Sequence, residues 1–150
     1  MAFMRDYKFG REREELILPQ LQQFFKDDIQ PTPDKYSKYD YEGKEYIYEL
    51  KSRTCQLGTY PTTLLPVDKV IKTRKQIFLF NFTDGLYYIE YDETAWRDIE
   101  IASFRRFRIG VNDKEKPYYH IPTTLLKRVG EGLKTWQNYG GFGGFLEDAP

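Results

Sequence analysis

Apolar residues recur at helical spacing near the start of the chain. Over residues 10–29, GREREELILPQLQQFFKDDI, the side chains of Ile17, Leu18, Leu21, Phe24, Phe25 and Ile29 fall on one stripe at 3.6 residues per turn. Glu12, Gln20, Gln22, Gln23 and Lys26 fall elsewhere, so the pattern predicts an amphipathic helix. Pro19 predicts a kink or two short helices, because its ring removes a donor and crowds the carbonyl of residue 15. The stretch QPTPD at 30–34 is a stop signal. From 36 to 53 the pattern changes to Tyr-rich alternation, which predicts a hairpin around Gly43. A loop over 58–66 and a short basic helix from Val67 to Lys75 are expected next. Gln76 to Phe82 and Leu86 to Tyr91 then flank Thr83-Asp84-Gly85, the clearest hairpin signal in the chain. Strands are expected around Ser103 to Ile109 and Tyr118 to Ile121, and Pro122 to Val129 reads as the opening of a helix. The order predicts an α/β domain with a mixed sheet flanked by helices, over residues 1–129, followed by a Gly- and aromatic-rich tail at 130–150.

Composition narrows the function classes. A chain of 150 residues suits one core, and an aromatic content of 17% argues against a disordered segment. Lys+Arg 23 balances Asp+Glu 23, so nucleic-acid binding would rest on local patches, not on a bulk basic field. Cys55 is the single cysteine and His120 the single histidine, which excludes an intramolecular disulfide, a cysteine-based zinc site and His-His zinc motifs. No apolar run approaches the length of a membrane span, and MAFMRDYKFGREREE lacks the apolar region of a signal peptide. The expectation is a cytoplasmic protein with no membrane partner.

The residues that carry chemistry lie in Asp40-Tyr-Glu-Gly-Lys-Glu-Tyr-Ile-Tyr-Glu49-Leu50-Lys51. On a strand, Glu45, Ile47, Glu49, Lys51 and Arg53 share one face, and Tyr46, Tyr48 and Leu50 the other. A turn centred on Gly43-Lys44 sets Asp40 opposite Ile47, on the face of Glu49 and diagonal to it. A turn at Glu42-Gly43 instead sets Asp34 opposite Lys51 and makes Asp34 the better ligand. Two carboxylates beside a lysine suit metal-assisted phosphodiester hydrolysis, because Mg²⁺ or Mn²⁺ prefers hard oxygens and retains waters. The lysine can orient a water or neutralise charge building on the phosphate. Glu14 lies near the middle of the helical stripe, in line with Leu18, Leu21 and Phe25, and a carboxylate aimed inward needs a partner.

Asp40 followed by Glu49-Leu50-Lys51, after a helix carrying Gly10-Arg-Glu-Arg-Glu14, resembles the PD-(D/E)XK nuclease superfamily over roughly residues 10–90. Within it, ELKSR followed by a TYPTT loop and a lysine-bearing helix is most similar to small stand-alone nucleases of phages and large DNA viruses. The resemblance implies a restriction-endonuclease-like core, Asp40 and Glu49 as metal ligands with the Leu50 carbonyl, Lys51 as the catalytic lysine and Glu14 assisting. It also implies DNA as substrate in viral or phage DNA processing, recombination or repair. The chain departs from the family pattern in having Tyr39, not proline, before Asp40; its Pro-Asp pair is Pro33-Asp34.

Lys51, Arg53, Lys69, Lys72, Arg74 and Lys75 stand against Asp68 alone between 51 and 75, a local excess that could hold phosphates. Lys69 is placed near the site by the resemblance, and Arg53 reads equally as a phosphate contact or a structural partner. Tyr60, Thr62 and Thr63 are candidate hydroxyl donors of the cleft. Arg105, Arg106 and Arg108 alternate with Phe104 and Phe107, which reads as core phenylalanines under solvated arginines more readily than as a single-strand grip. His120 reads as a structural strand histidine, Cys55 as a small buried residue, and the acidic stretch from Glu90 to Glu100 as a face turned from DNA. Neutral net charge points to recognition of a DNA structure, such as a single strand, end, flap or junction, with homodimerisation as one way to add affinity. The alternatives are a catalytically inactive nuclease-fold module binding nucleic acid or a protein, and an interaction protein docking through its sheet and tail.

Overall fold

A computed structural model describes residues 15–33, 37–105, 109–110, 112 and 114–133. Glu14, Asp34, Arg106, Arg108 and the tail from 134 onward lie outside the described residues. Among the described residues the fold is mixed α/β in three layers: one helix, a six-stranded sheet and a three-stranded sheet.

Helix α1 is described over 15–25 and buries Ile17 and Leu21, the centre of the apolar stripe. It runs through Pro19 without the expected break; Pro19 is exposed, so its ring projects away from the packed face. The helix stops short of 29 because Lys26 turns left-handed (φ 52°) while its amide donates to the Gln22 carbonyl at 3.0 Å. Ile29 is still fully buried, beyond that turn.

The larger sheet comprises β1 (Gln30–Pro31), β2 (Tyr41–Glu42), β3 (Tyr46–Ser52), β5 (Lys75–Phe82), β6 (Gly85–Glu90) and β9 (Lys127–Gly130), paired in that order. The β3–β5 pair is parallel and every other pair in the sheet is antiparallel, so the sheet is mixed. The smaller sheet pairs β4 (Thr62–Pro66), β8 (Lys116–Pro122) and β7 (Glu100–Phe104) in that order, all antiparallel. Two cores follow from strand alternation. Tyr41, Tyr48, Ile77, Leu79 and Leu86 pack against α1, whereas Phe78, Phe80 and Phe82 meet Leu65, Trp96, Tyr119 and Ile121 beneath the smaller sheet.

Three expectations are corrected. The expected loop at 58–66 holds β4, whose Pro66 is tolerated because β4 is the edge strand of its sheet. The expected helix at 67–75 is only a 3-10 turn at Val67–Lys69, because the Gln76 side chain takes the Lys69 carbonyl and the Ile71 amide that a helix would pair internally. The expected helix after Pro122 is a 3-10 turn at Thr123–Leu125 followed by β9. One face of the mixed sheet is therefore covered by a helix and the other by strands, rather than helices on both sides. The 83–85 hairpin stands as read, with Phe82 opposite Gly85.

Candidate metal and phosphate site

The hairpin that carries the candidate site turns at neither expected position. Glu42 pairs with Ile47, and the Gly43 amide donates to the Tyr46 carbonyl at 2.8 Å, so the turn runs through Lys44 and Glu45. The Asp27 carboxylate sets it, accepting from the Lys44 amide at 3.1 Å and the Tyr48 hydroxyl at 3.2 Å. Gly43 serves that approach: a Cβ there would collide with the Asp27 carboxylate.

This register lies two residues from the Gly43-Lys44 alternative, which leaves every side chain on its expected face and carries Asp40 from opposite Ile47 toward Glu49. The ladder ends at Tyr41, where the Asp40 amide donates to the Tyr48 carbonyl at 2.9 Å. The Asp40 carboxylate in turn accepts from the Leu50 amide at 2.7 Å. Thr32 holds the other side, its hydroxyl donating to the Tyr39 and Asp40 carbonyls at 2.9 and 3.2 Å. Asp40 is thus fixed at both main chain and side chain. Leu50 sends its side chain toward the α1 core.

Glu49 is 7% exposed, on the face turned to the smaller sheet. Its Oε1 lies 3.9 Å from the Lys51 Nζ and 3.6 Å from the Lys69 Nζ. Burial, and then the nearby Asp40 charge, push its carboxyl up to about 7, and the two ammonium groups offset this only in part. Asp40, Glu49, Lys51 and Lys69 therefore form one electrostatic cluster. Its acids are hard oxygen donors of the kind Mg²⁺ takes, with the remaining positions suited to water. The fit is to a two-carboxylate site: among the described residues there is no group of three or more metal-ligating acidic, His or Cys side chains.

The other expected residues separate into two groups. Arg53 is 2% exposed, and its donors turn inward to the Thr63 hydroxyl at 3.0 Å and to the Leu64 carbonyl. It also lies over the Phe80 ring, which makes it a brace between β3 and β4. Tyr60, 44% exposed, lines a hollow with Arg53, Thr62 and Thr123. Lys72 is exposed, Arg74 pairs with Glu42 at 2.9 Å, and Lys75 lies 3.9 Å from Glu45. Of the basic residues from 69 to 75, it is Lys69 that meets Glu49. Arg105 donates to Asn112 at 3.2 Å. His120 is on β8, facing away from the inter-sheet core that holds Tyr119 and Ile121, and its Nε2 is buried without a hydrogen-bond partner. The acidic stretch is anchored by Trp96, whose indole donates to the Glu90 carbonyl at 3.2 Å.

One residue at the site was missed in the sequence. Gln76 is 2% exposed at the head of β5, opposite Ile47, on the same sheet face as Glu49. Its signal is a lone amide opening the apolar run Ile77 to Phe80. Comparison with protein-family models, with curated proteins and with solved structures finds no match to this chain in any of the three.

Proposed function

We propose that this chain is a metal-dependent DNA nuclease that hydrolyses phosphodiester bonds, built on a restriction-endonuclease-like core. The observation that carries this reading is the meeting of Asp40, Glu49 and Lys51, at the end of one hairpin away from its turn, with Lys69 from the 3-10 turn after β4. A helix on one face of a mixed sheet, followed by that hairpin and a parallel β3–β5 pair, supports the core assignment. Asp40 and Glu49, with the Leu50 carbonyl, would hold Mg²⁺ or Mn²⁺. The cation supplies Lewis-acid polarisation of the phosphate and a more acidic water. Lys51 orients the attacking water and opposes the negative charge that grows on the phosphate oxygens. Lys69 adds a second fixed positive charge beside Glu49. The buried Arg53 braces β4 under this arrangement, and exposed Tyr60 and Lys72 are the candidate contacts to the DNA strand outside it.

The test is cleavage of labelled single-stranded, double-stranded and branched DNA with Mg²⁺, Mn²⁺ or EDTA, comparing wild type with Glu49→Ala and Lys51→Ala. The expected result is cutting that needs the metal and is lost in both variants. Cutting that survives either substitution overturns the mechanism. Binding of DNA without cutting assigns the chain to the inactive-module class.

A further inference from the structure

We infer that Gln76 is a positioning residue of the same site, which fixes the Lys69 ammonium on Glu49; this rests on the nuclease reading for its consequence but not for its geometry. The segment between β4 and β5 contains a single 3-10 turn, so its backbone groups find few partners of their own. The Gln76 side chain supplies them. Its Nε2 donates to the Lys69 carbonyl at 3.0 Å and its Oε1 accepts from the Ile71 amide at 2.6 Å. Both ends of one amide are therefore spent on the residues that carry and follow Lys69. Its own main chain is pinned as well, the carbonyl accepting from the Tyr91 amide at 3.0 Å.

A lysine side chain has four rotatable bonds, and its ammonium would ordinarily sample a wide volume. Here its backbone is tied to β5, the strand next to the one bearing Glu49, and Nζ sits 3.6 Å from Oε1. A buried amide that satisfies two main-chain groups without contacting the chemistry is the arrangement expected of a residue that supports a functional side chain. Gln76 thus sets where the second positive charge of the site stands. Lys51, by contrast, is placed by β3 itself.

The experiment is a double-mutant cycle on the full chain with Gln76→Leu, Lys69→Ala and both together, read in two ways. The first is the ¹³C resonance of the Glu49 carboxyl at one fixed pH, which needs neither metal nor DNA. Gln76→Leu is expected to move this resonance in the direction that Lys69→Ala moves it, and the double variant no further than Lys69→Ala alone. The second is cleavage, where each single variant is expected to lose about tenfold in kcat with KM nearly unchanged, and the double to lose no more than the worse single. A lower melting temperature with the Glu49 resonance at its wild-type position would make Gln76 merely structural and overturn the proposal. If Gln76→Leu fails to fold, Gln76→Met, uncharged and close to glutamine in length, removes the same two hydrogen bonds with less repacking, and the same resonance decides. If wild type cuts no DNA, the nuclease reading falls while the first readout still decides the role of Gln76.

Discussion

Glu49 holds its proton to higher pH than an ordinary carboxyl because burial and Asp40 both oppose its charge. That sets the sign of its effect on stability. Below the ordinary value of 4.5 the group is protonated both folded and unfolded and contributes nothing. From there to about 7 the unfolded chain releases its proton while the folded chain keeps it, so stability falls with rising pH across this window. Glu49→Gln should remove that slope and raise the melting temperature above pH 7 by several degrees, since each tenfold change in proton affinity is worth about 1.4 kcal/mol, or about 3 °C at this chain length. Thermal scans from pH 4 to 8 check this, and a wild-type slope retained in the variant contradicts it. Arg53→Leu should strand the Thr63 hydroxyl and the Leu64 carbonyl and cost about 2–4 kcal/mol, with KM for DNA barely changed. Chemical denaturation beside cleavage kinetics separates this bracing role from phosphate binding. At this scale the sequence was informative where alternation alone decides: a two-residue error in register left Asp40, Glu49 and Lys51 on one face. Gln76 was not legible, and Arg53 stayed open between phosphate contact and structural partner, because both depend on where β4 and the Lys69 turn lie, which the pairing of β4 with β8 decides.

Among the elements, the hairpin β2–β3 is set from outside itself. Asp27 accepts from the Asp28 amide as well as from Lys44 and Tyr48, so one carboxylate joins the end of α1 to the turn. Asp27→Ala should cost about 1–2 kcal/mol and loosen the turn. The Tyr48 hydroxyl gives a separate readout: burial first, and then Asp27, hold it well above the ordinary phenol range. The variant should bring its ionisation down, yet not to the ordinary value, in an ultraviolet titration. Turn chemistry could be read correctly at 83–85, where the turn residues themselves suit a tight hairpin, and not at Gly43, where a residue 16 positions earlier chooses the turn. Strand β4 was hidden for a related reason: its flanking prolines are loop signals unless the strand is known to lie at an edge.

On the scale of the whole molecule, the described residues beyond β9, 131–133, are held by two side-chain amides. Gln20 exchanges hydrogen bonds with the Gly132 backbone at 2.9 and 3.3 Å, and Asn81, fully buried, does the same with Leu133 at 2.9 Å on both sides. Gly132 adopts φ 64°, which a side chain would resist. Gln20→Ala should therefore speed hydrogen exchange of the Gly132 amide while strands β3 and β5 keep their protection. The layering has its own consequence. Strand β4 is the crossover between the parallel partners β3 and β5, yet its pairing partner β8 arrives only after β6. The two sheets are thus interleaved along the chain, and no single cut yields two self-sufficient halves. A fragment ending before β7 would retain Asp40, Glu49, Lys51 and Lys69 but lose the strand that keeps β4 over them. The charged cluster would then open to water, and the fragment would carry all four charged groups without the roof that buries Glu49 among them.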